Sequence, residues 1–252
     1  MTNNPLQTLQ QLGQSVWLDY IDRTLLASGG LQRMVDAGEV TGVTSNPTIF
    51  QKAIATCDEY DATIRSLDAA GKDTLAIWEA LSTADIAAAA SILEPVHKRT
   101  GGRDGYVSIE VAPSLAHDAA GTMAEARHLF RSLGRRNVMI KVPATSEGVE
   151  ALEELTAEGI NVNATLIFSV DNYVQVASAY IRGLHRLEER KNVCCAVGRP
   201  QRQEPMVSIC EHPPAADGDE AGVALFRQDH DCTPSVASAQ IIAIIPAQIA
   251  LY

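Results

Sequence analysis

Residues 137–145 read NVMIKVPAT. From Val138 to Pro143 every residue except Lys141 is apolar, the texture of a strand buried on both faces of a parallel sheet. Four further runs share it: SVWLDYI (15–21), VTGVTSN (40–46), YVSIEV (106–111) and NVNATLIF (161–168). Longer stretches of helical period lie between them. LLASGGLQRMVDAG reads as a helix ending on Gly38, and PTIFQKAIATCDEYDATIRSLDAAG as a helix beginning on Pro47, which suits a first helical turn. DTLAIWEALSTADIAAAASILEPVHKRTGG reads as two helices joined near Ser82–Thr83. SLAHDAAGTMAEARHLFRSLG, TSEGVEALEELTAEG and VDNYVQVASAYIRGLHRLEERK complete the set, with TSEG and SVDN resembling helix starts. Alternating strands and helices predict parallel βα units. No GxGxxG opens a helix after any strand, so a dinucleotide-binding fold has no support. The expected fold class is α/β of the (β/α) TIM-barrel type, apparently incomplete, with five recognisable βα units against the eight of a closed barrel.

A lysine inside such a strand needs a reason, because a buried charge is costly unless paired. It is not alone. The first strand carries Asp19, the second Thr44, Ser45 and Asn46, the third Glu110, and the fifth Asn163 and Thr165. In a barrel, polar groups near the C-terminal strand ends converge on the catalytic axis. Burial disfavours the charged form of an amine, and a neutral amine attacks carbonyl carbons to form a Schiff base. The resulting iminium is an electron sink that permits cleavage of a neighbouring C–C bond. Carboxylates can then move protons, while hydroxyl and amide groups hold substrate hydroxyls or water. One lysine, two carboxylates and several Asn and Thr groups fit an aldol reaction needing neither metal nor cofactor. The competing reading is structural, a salt bridge from Lys141 to Glu110 or Asp19.

Composition narrows the classes. The chain has 252 residues, 46% of them hydrophobic, and a net charge of -11. That acidity argues against nucleic acid as a partner. No apolar run approaches the roughly 20 residues needed to span a bilayer, and the start, MTNNPLQTLQQLG, has neither a basic nor an apolar leader region. A soluble cytoplasmic protein is expected, with no membrane partner. Of the five cysteines, Cys57 reads as an inert thiol and the other four follow residue 190. There the texture changes, and the βα rhythm is not continued. Cys210-x-His212 and His230-x-Cys232, with Cys194-Cys195 upstream, could be written as a zinc site, but the spacings match no common pattern. The acidic DGDE (217–220) reads as a solvated loop, His117 and His128 as surface or core residues, and His97 and His185 as lying near helix C-terminal ends, where a cation is favourable.

GVTSNPTIF (42–50) resembles the transaldolase signature around a Thr-Ser/Thr-Asn-Pro turn. NVMIKVPATSEG (137–148) resembles the strand bearing that family's Schiff-base lysine, and EGINVNATLIFS (158–169) the next strand with its Asn-x-Thr pair. GGRDGYVSIEVAP (101–113) looks like the strand of the catalytic glutamate, and VWLDYIDR (16–23) like that of the catalytic aspartate. Order and spacing agree over about residues 5–190. The resemblance implies transfer of a dihydroxyacetone unit between sugar phosphates in the pentose phosphate pathway, without a cofactor. It assigns the Schiff base to Lys141 and acid/base work at the C–C bond to Asp19. Glu110 and Thr165 would hold a proton-shuttling water, and Asn46, Asn163 and Thr44 would bind substrate hydroxyls or orient Lys141. The family's later strands carry a serine and arginines that grip the substrate phosphate, and no motif places these on Arg199, Arg202 or Arg227.

The expected organisation is therefore a partial barrel over 1–190 and a divergent tail over 191–252. Two rivals stay open: a truncated or frame-altered, catalytically impaired fragment, and an aldolase that cleaves without transfer. Oligomeric state is open too, with a homo-oligomer among the outcomes.

Overall fold

A computed structural model describes residues 4–195, 207–211 and 242–243. The chain divides into two compact units, Met1–Glu110 with Ser132–Val138 and Val111–Arg131 with Met139–Tyr252.

In the first unit β1 (Trp17–Leu18), β2 (Gly42–Thr44) and β3 (Val107–Glu110) run parallel. Their register pairs Trp17 with Gly42, Leu18 and Val107 with Val43, and Thr44 with Ser108. The Val107 amide donates to the Asn137 carbonyl at 3.0 Å, so the residue preceding β4 (Val138–Pro143) continues this order. Asn137 is buried, and its side-chain amide donates to the carbonyls of Ala90 (2.8 Å) and Gly105 (3.0 Å), which ties that strand start to a helix.

The helices are α1 (Pro5–Gln11), α2 (Arg23–Ala27), α3 (Gly30–Asp36), α4 (Pro47–Thr56), α5 (Asp61–Ala69) and α6 (Thr74–Arg99). Gly38 follows α3 at φ +65°, the left-handed turn expected of a C-terminal glycine. The run before it is two helices rather than one, because Gly29 at φ +72° breaks it. The stretch from Pro47 is likewise interrupted, at the extended Cys57 and a 3-10 turn, Asp58–Tyr60. The opposite correction applies to α6, which runs unbroken through Ser82–Thr83. Both hydroxyls donate back to carbonyls one turn earlier, Ser82 to Trp78 (2.9 Å) and Thr83 to Glu79 (2.6 Å), and so stay within the helix. By length and composition α6 could cross a bilayer, but here it is a core helix: Leu81, Ile86, Ala89, Ala90 and Leu93 are buried along it, together with Asp85 and His97. Trp78 meets Phe50 edge to face, with ring centroids 5.9 Å apart.

In the second unit β4 pairs in parallel with β5 (Val162–Ile167), and α7 (Ala119–Leu133), α8 (Ser146–Ala157) and α9 (Val170–Cys195) supply the helices. Thr145 caps α8 by accepting from the Gly148 amide at 3.0 Å, and the Ser169 hydroxyl accepts from the Asn172 amide at 3.1 Å, so both expected helix starts are observed. α8 and α9 pack so closely that a Cβ on Gly183 would lie 2.7 Å from the Glu153 carbonyl oxygen. Around that crossing Arg186 pairs with Glu154, Arg182 with Glu153 and Arg127 with Glu158.

All five strands anticipated from sequence are observed, in parallel pairs joined by helices, the wiring of an incomplete (β/α) barrel. Past residue 190, where the sequence shows no continuation of the βα rhythm, β6 (Val207–Glu211) adds to β5 and the two-residue β7 (Ile242–Ala243) adds to β6. Flanking prolines and the polar Ser208 hide β6 in the sequence. Arg199, Arg202, His212, DGDE (217–220), Arg227, His230 and Cys232 lie outside the described residues, as do the side chains of Cys194, Cys195 and Cys210.

Candidate active site

Parallel register and strand alternation put Trp17, Gly42, Thr44, Ser108 and Glu110 on one face of the first unit's sheet. Asp19, one residue past the end of β1, continues the alternation of Trp17. The N-terminal part of this face is filled by Trp17, whose indole lies so close over Gly42 that a Cβ there would sit 2.3 Å from the ring. Only glycine fits beneath it. Polar groups follow at the C-terminal strand ends, with Thr44 the last residue of β2 and Glu110 the last of β3.

Thr44, Ser45 and Ser108 are all buried. The Ser108 hydroxyl donates to Thr44 Oγ1 at 2.9 Å, and the Ser45 hydroxyl to the Ser108 carbonyl at 2.8 Å. Asn46 caps α4, its Oδ1 accepting from the Ile49 amide at 2.9 Å. That fixes the Asn46 side chain and assigns its carbonyl oxygen to the helix. Asp19 and Glu110 are half-buried.

In the second unit Lys141 is in register with Asn163, and Pro143 with Thr165, so Lys141, Asn163 and Thr165 share one face. All three are buried, Lys141 at 8% exposure and Asn163 at 0%. Lys141 lies within β4 rather than at its end. The strand terminus is held firmly: Ala144 donates to the Thr165 carbonyl at 2.8 Å, and Asn172 donates its side-chain amide to the Ala144 carbonyl at 2.9 Å. Immediately after Thr165, Leu166 has φ +64°, and the β5–β6 register shifts between Ala164 and Ile167. A left-handed, non-glycine residue in a bulge costs about 1–2 kcal/mol, and strain of this kind is characteristic of positions where side chains must be re-aimed.

Each expected site residue thus lies on one of these two sheet faces or at a strand end of its own unit. Sequence reasoning did not single out Ser108, although it sits two residues before Glu110 on the same face. It also passed over Arg23, Tyr60 and Asp85. The signal for that group was present, an aspartate inside the apolar run ADIAAAA. His117 and His128 are at the surface, as expected. His97 does lie in the last turn of α6, but burial pushes its pKa down, so the favoured form is neutral rather than cationic. His185 is interior to α9, which continues to Cys195.

A family model described as transaldolase/fructose-6-phosphate aldolase matches residues 16–233. The chain is 48% identical over 194 residues to a transaldolase 2 of Nostoc punctiforme, covering 77% of this chain and 51% of the relative. It is 46% identical over 184 residues to a transaldolase of Trichodesmium erythraeum, covering 73% and 48% respectively. A transaldolase of Thiobacillus denitrificans is 48% identical over 181 residues, covering 72% and 50%. The chain spans about half the length of these relatives.

Proposed function

The chain belongs to the transaldolase/fructose-6-phosphate aldolase family, and from that premise we propose that it carries out transaldolase chemistry on sugar phosphates through a Schiff base on Lys141. The donor ketose is of the sedoheptulose 7-phosphate type and the acceptor an aldose such as glyceraldehyde 3-phosphate. The products are erythrose 4-phosphate and fructose 6-phosphate, which is pentose phosphate chemistry of the cytoplasm. The chemistry lies within residues 1–190. The observation that most supports this reading is a buried lysine inside β4 in register with a fully buried asparagine. A lysine held on a buried strand face beside an asparagine is placed as an amine that adds to a bound carbonyl would be.

The Lys141 amine adds to the ketose carbonyl, and water leaves with protons relayed by Glu110 and Thr165. Asp19 takes the proton of the hydroxyl on the far carbon of the bond that breaks, which becomes the aldehyde carbon of the departing aldose. The released electron pair flows into the iminium, the aldose departs, and a three-carbon enamine stays on Lys141. Addition of this enamine to the acceptor aldehyde reverses the sequence, Asp19 returning the proton. Asn46, Asn163 and Thr44 hold the hydroxyls of the three-carbon unit, Asn46 through its Nδ2, since Oδ1 caps α4. A second reading, cleavage without transfer, is compatible with the family description, which names an aldolase beside the transaldolase.

Borohydride trapping with fructose 6-phosphate, read by intact mass and peptide mapping, tests the proposal. An adduct on Lys141 that is lost in Lys141→Ala is the expected result. No adduct from folded protein overturns it. Adding an acceptor aldose separates transfer from simple cleavage.

A further inference from the structure

Asp19 is followed by a short connection, Tyr20–Asp22, before α2 begins at Arg23. The far end of that connection is held by a buried polar cluster. The Arg23 amide donates to the Tyr60 hydroxyl at 3.1 Å, and that hydroxyl donates to Asp85 Oδ2 at 2.7 Å. Arg23 Nε donates to the other Asp85 oxygen at 3.1 Å, and its guanidinium lies over the Tyr60 ring, 4.3 Å from the centroid. The guanidinium also reaches Thr63 Oγ1 at 3.1 Å. Tyr60 is 0% and Asp85 3% exposed. Within the connection Ile21 is fully buried, Asp22 Oδ1 caps α2 by accepting from the Leu25 amide at 2.6 Å, and the Tyr20 hydroxyl bonds to Asp22.

A buried aspartate–arginine pair contributes little net stability against apolar residues of similar volume. Its measurable effect is geometric, because satisfied buried networks fix one arrangement of the elements they join. This one joins the start of α2, the 3-10 turn and α6. It acts on the backbone itself, since one of its bonds is made by the Arg23 amide. The segment so fixed is the one that begins with Asp19.

We propose that Arg23, Tyr60 and Asp85 are positioning residues that hold the Asp19 connection in register for the C–C bond-breaking step, while taking no part in Schiff-base formation at Lys141. The inference rests on the function proposed above. Tyr60 is the sharpest handle, because its hydroxyl is both the acceptor for the Arg23 amide and a donor to Asp85, whereas its ring packing would survive in phenylalanine.

The test is borohydride quenching of the full chain with fructose 6-phosphate, with adducts on Lys141 resolved by mass. A six-carbon phosphorylated adduct marks Schiff base before cleavage, and a three-carbon adduct marks Schiff base after it. In Tyr60→Phe the total adduct should be unchanged and the three-carbon share should fall by about 10- to 100-fold, the size expected when a catalytic group is misplaced by a fraction of an ångström to an ångström. Asp85→Asn, which keeps the shape of the side chain, should show the same shift if Tyr60→Phe folds poorly. An unchanged ratio of three- to six-carbon adduct in either folded variant overturns the inference. Absence of both adducts in the unaltered chain overturns the proposed function, and the inference with it.

Discussion

His97 stands edge to face with Tyr106, ring centroids 4.8 Å apart, with Nδ1 3.1 Å from the Asp104 carbonyl. Burial is the largest influence on it and lowers its pKa from the usual 6.5; the Asp104 bond and Glu94 oppose this, and Arg136 adds to it. The unfolded chain therefore takes up the proton first. This part of the stability is complete above 6.5 and is lost as pH falls through the lower, folded-state value. Asp85 and Asp104, both raised chiefly by burial, act in the opposite sense, favouring the folded chain as they take up protons. Urea unfolding of a His97→Gln variant should show a flatter dependence on pH just below 6.5 than the unaltered chain, and an equal slope would disprove this assignment. At this scale the sequence marked position, though not role, wherever a charge stood in or just past an apolar strand, as with Lys141, Asp19 and Glu110. It was less legible where the decisive fact was a hydrogen bond between ordinary residues. Nothing in VSIE announces that Ser108 bonds to Thr44, because that bond depends on the pairing of β2 with β3.

Helix starts and stops follow local chemistry, and the sequence discloses them well. Asn46 and Pro47, Thr145 with Gly148, and Gly38 are all in the roles their residue types suggest. Thr145 does more than cap, since its hydroxyl also donates to the Ala116 carbonyl at 2.6 Å. Thr145→Ala should cost about 1 kcal/mol or more in a chemical denaturation midpoint, and Thr145→Ser should recover most of it. Gly148→Ala should be harsher, because the new Cβ would lie 1.8 Å from the Pro143 carbonyl oxygen. A loss of about 1–3 kcal/mol is expected, and a variant as stable as the parent would mean that α8 can slide off the end of β4. The elements misread from sequence were those decided by tertiary packing. The serine–threonine pair in α6 looks like a join but is absorbed by back-bonding, while Gly29 and Cys57 break helices whose apolar period runs straight through them.

On the scale of the whole molecule, composition and strand–helix rhythm were enough for the fold class, and five ordered motifs for the family. The chain past residue 190 could not be read in this way. β6 is defined by its pairing with β5, and pairing is invisible to a period count. The exposed large apolar residues concentrate late in the described chain, with Leu166, Phe168, Val170, Val174 and Ile181 among them. Val170, Val174 and Ile181 fall on one face of α9. Ile181→Glu should shift unfolding by no more than about 0.5 kcal/mol, and a larger loss by thermal denaturation would mean that this face is covered in solution. The chain has two tryptophans, Trp17 over Gly42 and Trp78 against Phe50, and both belong to the first unit. Indole emission is therefore a private optical channel for that half of the molecule, whereas circular dichroism averages over every helix. Melting curves recorded by the two signals would superimpose if the units unfold as one, and would part company if the lysine-bearing half melts on its own, unseen by the fluorimeter.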